Sequence, residues 1–224
     1  MMYNGRITWD NYEHGAGGRV LGMGPMGVEH TAGGFVCRLV VLDAVAYKKS
    51  KGLISSSAQM LPIPQKPSDV AGIVSADDVK AMVKAAGLGE ISSGDCVALH
   101  TGQGNTWGNA HYASMTAEQR AAARAIFAQG EPGFGLSACE YFASRDIALT
   151  MGDTSANDAQ PGNEVEGWAV PCHTQIQTRY GIWNLENVDT ESMVAAGVKE
   201  GAFVWAPLRI VGATGSPGNP IVLY

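Results

Sequence analysis

The chain has 224 residues, of which 46% are hydrophobic and 16% charged, and its formal net charge is -6. That size and apolar content suffice for one domain with its own core. The acidic balance, offset only by the short run Lys48, Lys49 and Lys51, excludes a general phosphate-neutralising nucleic-acid binder, and no apolar stretch of 18 residues offers a membrane span.

Residues 1–34 are glycine-rich and without clean periodicity, so they are expected to form an irregular N-terminal segment ahead of a domain over 35–224. Residues 35–45 are apolar and β-rich and predict a buried strand. Residues 48–69, punctuated by Pro62, Pro64 and Pro67, predict a loop that carries the three lysines in solvent. Ser75 and Asp78 have capping-box spacing. Val79, Met82, Val83 and Ala86 follow at helical spacing until Gly87. A Gly94-Asp95 turn introduces a strand over 96–101, and a second capping box, Thr116 with Gln119, opens an Ala-rich helix that runs to Gly130. Further helices are expected over 137–144, 172–180 and 190–196, and further strands over 147–151, 182–185 and 202–211. Alternation of this kind without a repeat predicts a single α/β domain with a mixed sheet flanked by helices.

The cysteines Cys37, Cys96, Cys139 and Cys172 form no Cys-x-x-Cys pair, which leaves neither a zinc knuckle nor a redox dithiol. Reduced, buried thiols in a cytoplasmic protein are the expectation, with a secreted precursor as the alternative. His173 and Glu186 each border a predicted element. A histidine and a carboxylate brought together at element ends suit a metal site, although spacing alone favours a surface histidine and a helix-entry glutamate. Asp153 follows a strand directly, where it can cap the next turn or line a cleft. The stretch after His100 has Gly-x-Gly-x-x-x-Gly spacing, which does not match a dinucleotide fingerprint. It reads better as a substrate-lining loop with Trp107 as an aromatic wall. Glu29-His30 could supply a further ligand, a base or simply a structural loop.

Several stretches together resemble one family. Gly94-Asp95-Cys96-Val97-Ala98-Leu99-His100-Thr101-Gly102, Pro132-Gly133-Phe134-Gly135-Leu136, Gly152-Asp153-Thr154, His173 followed by Glu186-Asn187, Ala206-Pro207-Leu208 and Gly212-Ala213-Thr214-Gly215-Ser216-Pro217 resemble, in order, the cyclase family of metal-dependent hydrolases, which includes kynurenine formamidase and isatin hydrolase. The resemblance implies hydrolysis of amide or cyclic amide bonds (formamides, lactams) in small aromatic substrates. It implies a divalent metal, zinc or manganese, that activates water. It also places His173 and Glu186 at the metal centre or among the catalytic groups beside it. If those two side chains converge on one cleft, Asp153, Trp107 and His30, in that order, are the next candidates for its substrate-lining wall.

The family's main metal motif, His-x-Gly-Thr-His-x-Asp, is not found in these 224 residues. Tyr3-Asn4-Gly5 resemble the segment that follows it, so the expectation is a chain beginning just after that motif, with weak metal affinity and little turnover of its own. A non-catalytic remnant that binds a small molecule or a partner is the alternative. A small-molecule substrate and a homo-oligomer are the expected partners; nucleic acid and membrane are not.

Overall fold

The computed structural model describes residues 27–31, 33–106, 113–162 and 164–224, with the backbone of four two-residue strands nearer the N-terminus. Those four form two small antiparallel ladders, Met2–Tyr3 with Arg6–Ile7 and His14–Gly15 with Arg19–Val20.

The body of the protein is one mixed sheet of six strands: β1 (Phe35–Asp43), β2 (Cys96–His100), β3 (Leu149–Gly152), β4 (Trp183–Leu185), β5 (Glu200–Trp205) and β6 (Ile221–Leu223). Their spatial order is β4-β3-β2-β1-β5-β6. The strands β1 to β4 run parallel and step steadily in one direction, whereas β5 lies antiparallel to β1, and β6 to β5. Right-handed crossovers taken repeatedly in one direction put their connections on one face of a sheet. That face carries α1 (Ala44–Ser50), α2 (Ala76–Ala85), α4 (Leu136–Arg145) and a π-helix over His173–Tyr180. Their apolar side chains meet Val40, Leu42, Val97 and Leu99 in the larger core. The helix α3 (Ala117–Phe127) precedes α4, while α5 (Thr190–Ala195) crosses to the opposite face, where Met193 joins Leu39, Met151, Phe203 and Trp205.

Both expected capping boxes form, at Ser75 with Asp78 and at Thr116 with Gln119, so side chains satisfy backbone donors at the starts of α2 and α3. Three expectations need correction. First, the strand expected over 35–45 ends at Asp43, because the Asp43 carboxylate accepts the Ala46 N–H at 2.9 Å and starts α1. Lys48 therefore sits on a helix and is 1% exposed rather than in a solvated loop. Second, the last long strand stops at Trp205 instead of 211; Pro207 cannot donate to a ladder, and the chain returns antiparallel only at Ile221.

Third, the cysteines are not free thiols. Cys37 lies two residues before Leu39, the ladder partner of Cys96, with its Cα 6.0 Å from that of Cys96, and helix packing brings Cys139 within 5.5 Å of Cys172; both pairs are disulfides. The partners are 59 and 33 residues apart in sequence, a proximity that only the tertiary fold creates. Among the described residues, no helix is long and apolar enough to cross a membrane.

Candidate active site

The site is built where the π-helix, the loop after β3 and the end of β4 meet. The loop is held first. Glu131, 3% exposed, accepts the backbone N–H groups of Ser155 and Ala156 at 2.8 and 2.7 Å, and the Ser155 hydroxyl as well. Burial raises the Glu131 pKa despite those bonds. Farther on, Phe134 exchanges backbone bonds with Asn157 and Ala159 at 2.8 and 3.0 Å and so fixes Asp158 between them. Gly133 permits this approach, since a Cβ there would lie 2.5 Å from the Asn157 carbonyl oxygen.

Asp158 is 1% exposed and faces the start of the π-helix. Its Oδ1 accepts the Cys172 N–H at 2.6 Å and its Oδ2 the His173 N–H at 3.2 Å, so the carboxylate caps backbone donors that the helix leaves unsatisfied. The same Oδ2 is hydrogen-bonded to His173 Nδ1. On the other side of the ring, His173 Nε2 lies 3.2 Å from Oε1 of Glu186, the residue directly after β4. His173 and Glu186, singled out in the sequence, are therefore in contact, and Asp158 completes a chain Asp158–His173–Glu186.

Burial by itself would lower the His173 pKa. The hydrogen bonds to Asp158 and Glu186, together with their negative charges, outweigh it and push the value up to about 9. At neutral pH the ring is an imidazolium held between two carboxylates.

Glu186 also borders a cavity of about 1160 Å³. Trp183, Phe203 and Trp205 supply aromatic wall, while Glu186 and His30 supply polar groups. His30 belongs to a short 3-10 turn over Val28–His30, and its side chain is largely exposed. A cavity with an aromatic lining and a few converging polar groups suits a small planar molecule.

Asp153 takes no part in this cavity. It is 1% exposed and accepts Thr101 N–H, Thr101 O–H, Gly102 N–H and Gly104 N–H at 2.9, 2.8, 2.8 and 3.3 Å. That is the turn-capping arrangement, and it fixes the loop after β2. Beside it, His100 bonds the Thr190 hydroxyl through Nδ1 at 2.8 Å. Trp107 lies outside the described residues.

The donor set does not fit a metal ion. Both ring nitrogens of His173 are committed to carboxylates, which leaves no lone pair for coordination, and the described residues hold no group of three His, Cys, Asp or Glu side chains arranged around a common point. Two important residues, Asp158 and Asn184, were not singled out in the sequence. Asp158 stands in a polar loop with no periodicity to mark it. Asn184 did carry a signal: in β4 the apolar Trp183 and Leu185 point one way, so the amide between them must face the helices.

No curated protein matches the sequence. Among solved structures, a novel cyclase superposes with a TM-score of 0.69 at 21% identity, over 99% of this chain and 63% of that one. An isatin hydrolase bound to the product analogue thioisatinate gives a TM-score of 0.58 at 20% identity, over 85% of this chain and 60% of its own. Isatin hydrolase A from Ralstonia solanacearum gives 0.55 at 20% identity, over 84% and 60%. The chain thus spans less than two thirds of the length of the structures it resembles, and at these identities the likeness is one of fold. The family profile described as "Putative cyclase" matches residues 20–159, more than half of the chain. Together with the order of motifs along the sequence, that match makes this chain a member of the cyclase family.

Proposed function

We propose that this chain supplies the proton-handling wall of a hydrolase that opens amide or cyclic amide bonds in small aromatic molecules. The observation that carries the reading is the Asp158–His173–Glu186 chain, which ends on a carboxylate at the rim of an aromatic-lined cavity. In such a site Glu186 takes a proton from an attacking water as the new C–O bond forms. Glu186 then returns that proton to the departing nitrogen as the C–N bond breaks, and the His173 imidazolium beside it stabilises the carboxylate that is restored. Asp158 fixes the ring and balances its charge throughout.

The zinc or manganese ion expected from the resemblance would polarise the carbonyl and activate the water. The described residues offer no donor set for it, and the 224 residues alone should turn substrate over slowly.

One observation favours a second reading, a protein that binds a small aromatic molecule without turning it over: both His173 nitrogens are already engaged. Titration of the chain with an isatin-like lactam and with its ring-opened product, followed by fluorescence of Trp183 and Trp205, tests for the cavity. Turnover measured with and without added zinc or manganese tests the chemistry. The hydrolase reading expects saturable binding and a slow turnover that Glu186→Gln reduces at least tenfold with binding retained. Binding with no turnover under any metal supply gives the second reading, and absence of binding sinks both.

A further inference from the structure

We infer that Asn184 is a positioning residue of this site, whose side-chain amide pins the Glu186 carboxylate against His173. The inference rests on the hydrolase reading for the reaction it serves, although its geometry stands without a substrate.

The orientation of the amide follows from fixed backbone acceptors. Asn157 Nδ2 donates to the Leu185 carbonyl at 3.0 Å, which identifies that atom as nitrogen. The same Nδ2 lies 2.6 Å from Asn184, so the Asn184 atom facing it must be the oxygen. The Thr150 hydroxyl donates to that oxygen too, at 2.8 Å. Asn184 Nδ2 is then directed away from both. One of its hydrogens goes to the Ala156 carbonyl at 3.2 Å and the other to Glu186 Oε1 at 3.0 Å. The amide has no freedom left to flip.

Glu186 Oε1 consequently receives two donors, Asn184 Nδ2–H and His173 Nε2–H. Among the described residues no hydrogen bond reaches Oε2, so one oxygen is held by the protein while the other is unpartnered on a residue that borders the cavity. Asn184 Nδ2 also lies 3.4 Å from His173 Nε2. With the imidazolium donating to Glu186, that approach is between two donors and contributes no bond; it marks how closely the three groups are gathered.

The backbone is shaped to permit the arrangement. Asn157 is 3% exposed and has φ of 60°, in the left-handed region that asparagine tolerates better than most residues with a side chain. Gly152 makes room for it, since a Cβ there would come within 2.3 Å of Asn157 Oδ1. Together they bring Asn157 to a place from which it can hold Asn184.

The test reads the imidazole directly, by long-range proton–nitrogen correlation spectra of His173 at one fixed neutral pH in the wild-type chain, Asn184→Leu and Thr150→Val. Asn184→Leu should free Glu186 and move the Nε2 resonance. Thr150→Val removes only one donor to the Asn184 oxygen and lies farther from the ring, so it should move the same signals in the same direction by less. Should Asn184→Leu fail to fold, Thr150→Val decides. His173 signals unchanged in folded variants would overturn the assignment. Because these spectra need no substrate, the two ideas separate: moved signals in a chain without turnover leave the Asn184 assignment intact and count against the hydrolase reading. Where turnover is measurable, the loss should fall on kcat more than on KM.

Discussion

Lys48 and His173 are both held by carboxylates beneath the helical face of the sheet, yet the two clusters are finished differently. Lys48 places its three ammonium donors on the Val70 carbonyl at 2.8 Å, the Ile73 carbonyl at 3.1 Å and Asp78 Oδ2 at 2.8 Å. Asp78 in turn accepts the Ser75 N–H and hydroxyl at 2.9 Å each, as part of the capping box of α2. Every donor is used and neither residue borders the large cavity, so the cluster can do nothing except join α1 to α2. His173 is equally engaged, but its partner Glu186 retains an oxygen beside the cavity. The difference teaches where to look for chemistry: a saturated buried pair is a fastening, whereas a pair with one open acceptor on a cavity wall can exchange a proton.

Breaking the fastening should have the largest effect on stability. Lys48→Met keeps the aliphatic stem but leaves the half-buried Asp78 carboxylate without its cation, and since breaking a fully buried pair costs about 3–5 kcal/mol, the loss should lie towards the lower end of that range. Denaturant unfolding should register that loss, with affinity for a cavity ligand unaltered. His173→Gln leaves Asp158, 1% exposed, without its imidazolium and should cost stability of the same order, but it alone should alter turnover. Equal effects of the two variants on turnover would erase the distinction between the clusters.

The disulfides sharpen the same contrast at a slightly smaller scale. Cys37–Cys96 ties β1 to β2 in the body of the sheet, whereas Cys139–Cys172 ties α4 to the residue immediately before His173. Closing loops of this length stabilises a fold by about 2–4 kcal/mol each, chiefly through the unfolded chain. Replacing either pair by serines should therefore lower the unfolding midpoint comparably, but only Cys139→Ser with Cys172→Ser should disturb the His173 resonances. Thiol titration of the denatured, unreduced protein is the direct check, and four reactive thiols would remove the bridges from the account.

What the sequence disclosed and what it hid follow one physical line. The capping boxes at Ser75 and Thr116, the strand at Cys96 and the alternation of elements were legible because each depends on residues a few positions apart. The burial of Lys48 was hidden because its acceptors Val70, Ile73 and Asp78 lie 22 to 30 residues away, and a lysine run reads as solvated when its partners are out of sight. Disulfide pairing was hidden in the same way. At the candidate site, His173 and Glu186 could be named from the family's order of motifs, but Asp158 could not. Its role comes from a bridge to Phe134 that only the folded chain creates.

The two clusters should also fail at opposite ends of the pH scale. Burial acts to raise the Asp78 pKa, but the hydrogen bonds from Lys48 and Ser75 and the lysine's charge overcome it, and the value lies below its usual 3.8. A carboxylate with a depressed folded pKa contributes stability that is present above the unfolded value and is lost as pH falls through the folded one. For His173 the sign reverses. Its folded pKa is raised from 6.5 to about 9, so its contribution is complete below pH 6.5 and disappears as pH rises through about 9. The contributions of these two groups should therefore both be complete from about pH 4.5 to 6.5, with that of His173 lost towards pH 9 and that of Asp78 lost in acid, while the raised Glu131 pKa adds a decline of its own above pH 4.5. Urea unfolding from pH 3 to pH 10 on the wild type, Lys48→Met and His173→Gln can resolve the two limbs. Lys48→Met should flatten the part of the acid limb due to Asp78, and His173→Gln should flatten the alkaline one. A His173→Gln variant that still loses stability between pH 6.5 and pH 9 as steeply as the wild type would mean that another group carries that limb and that the imidazolium is not clamped as described.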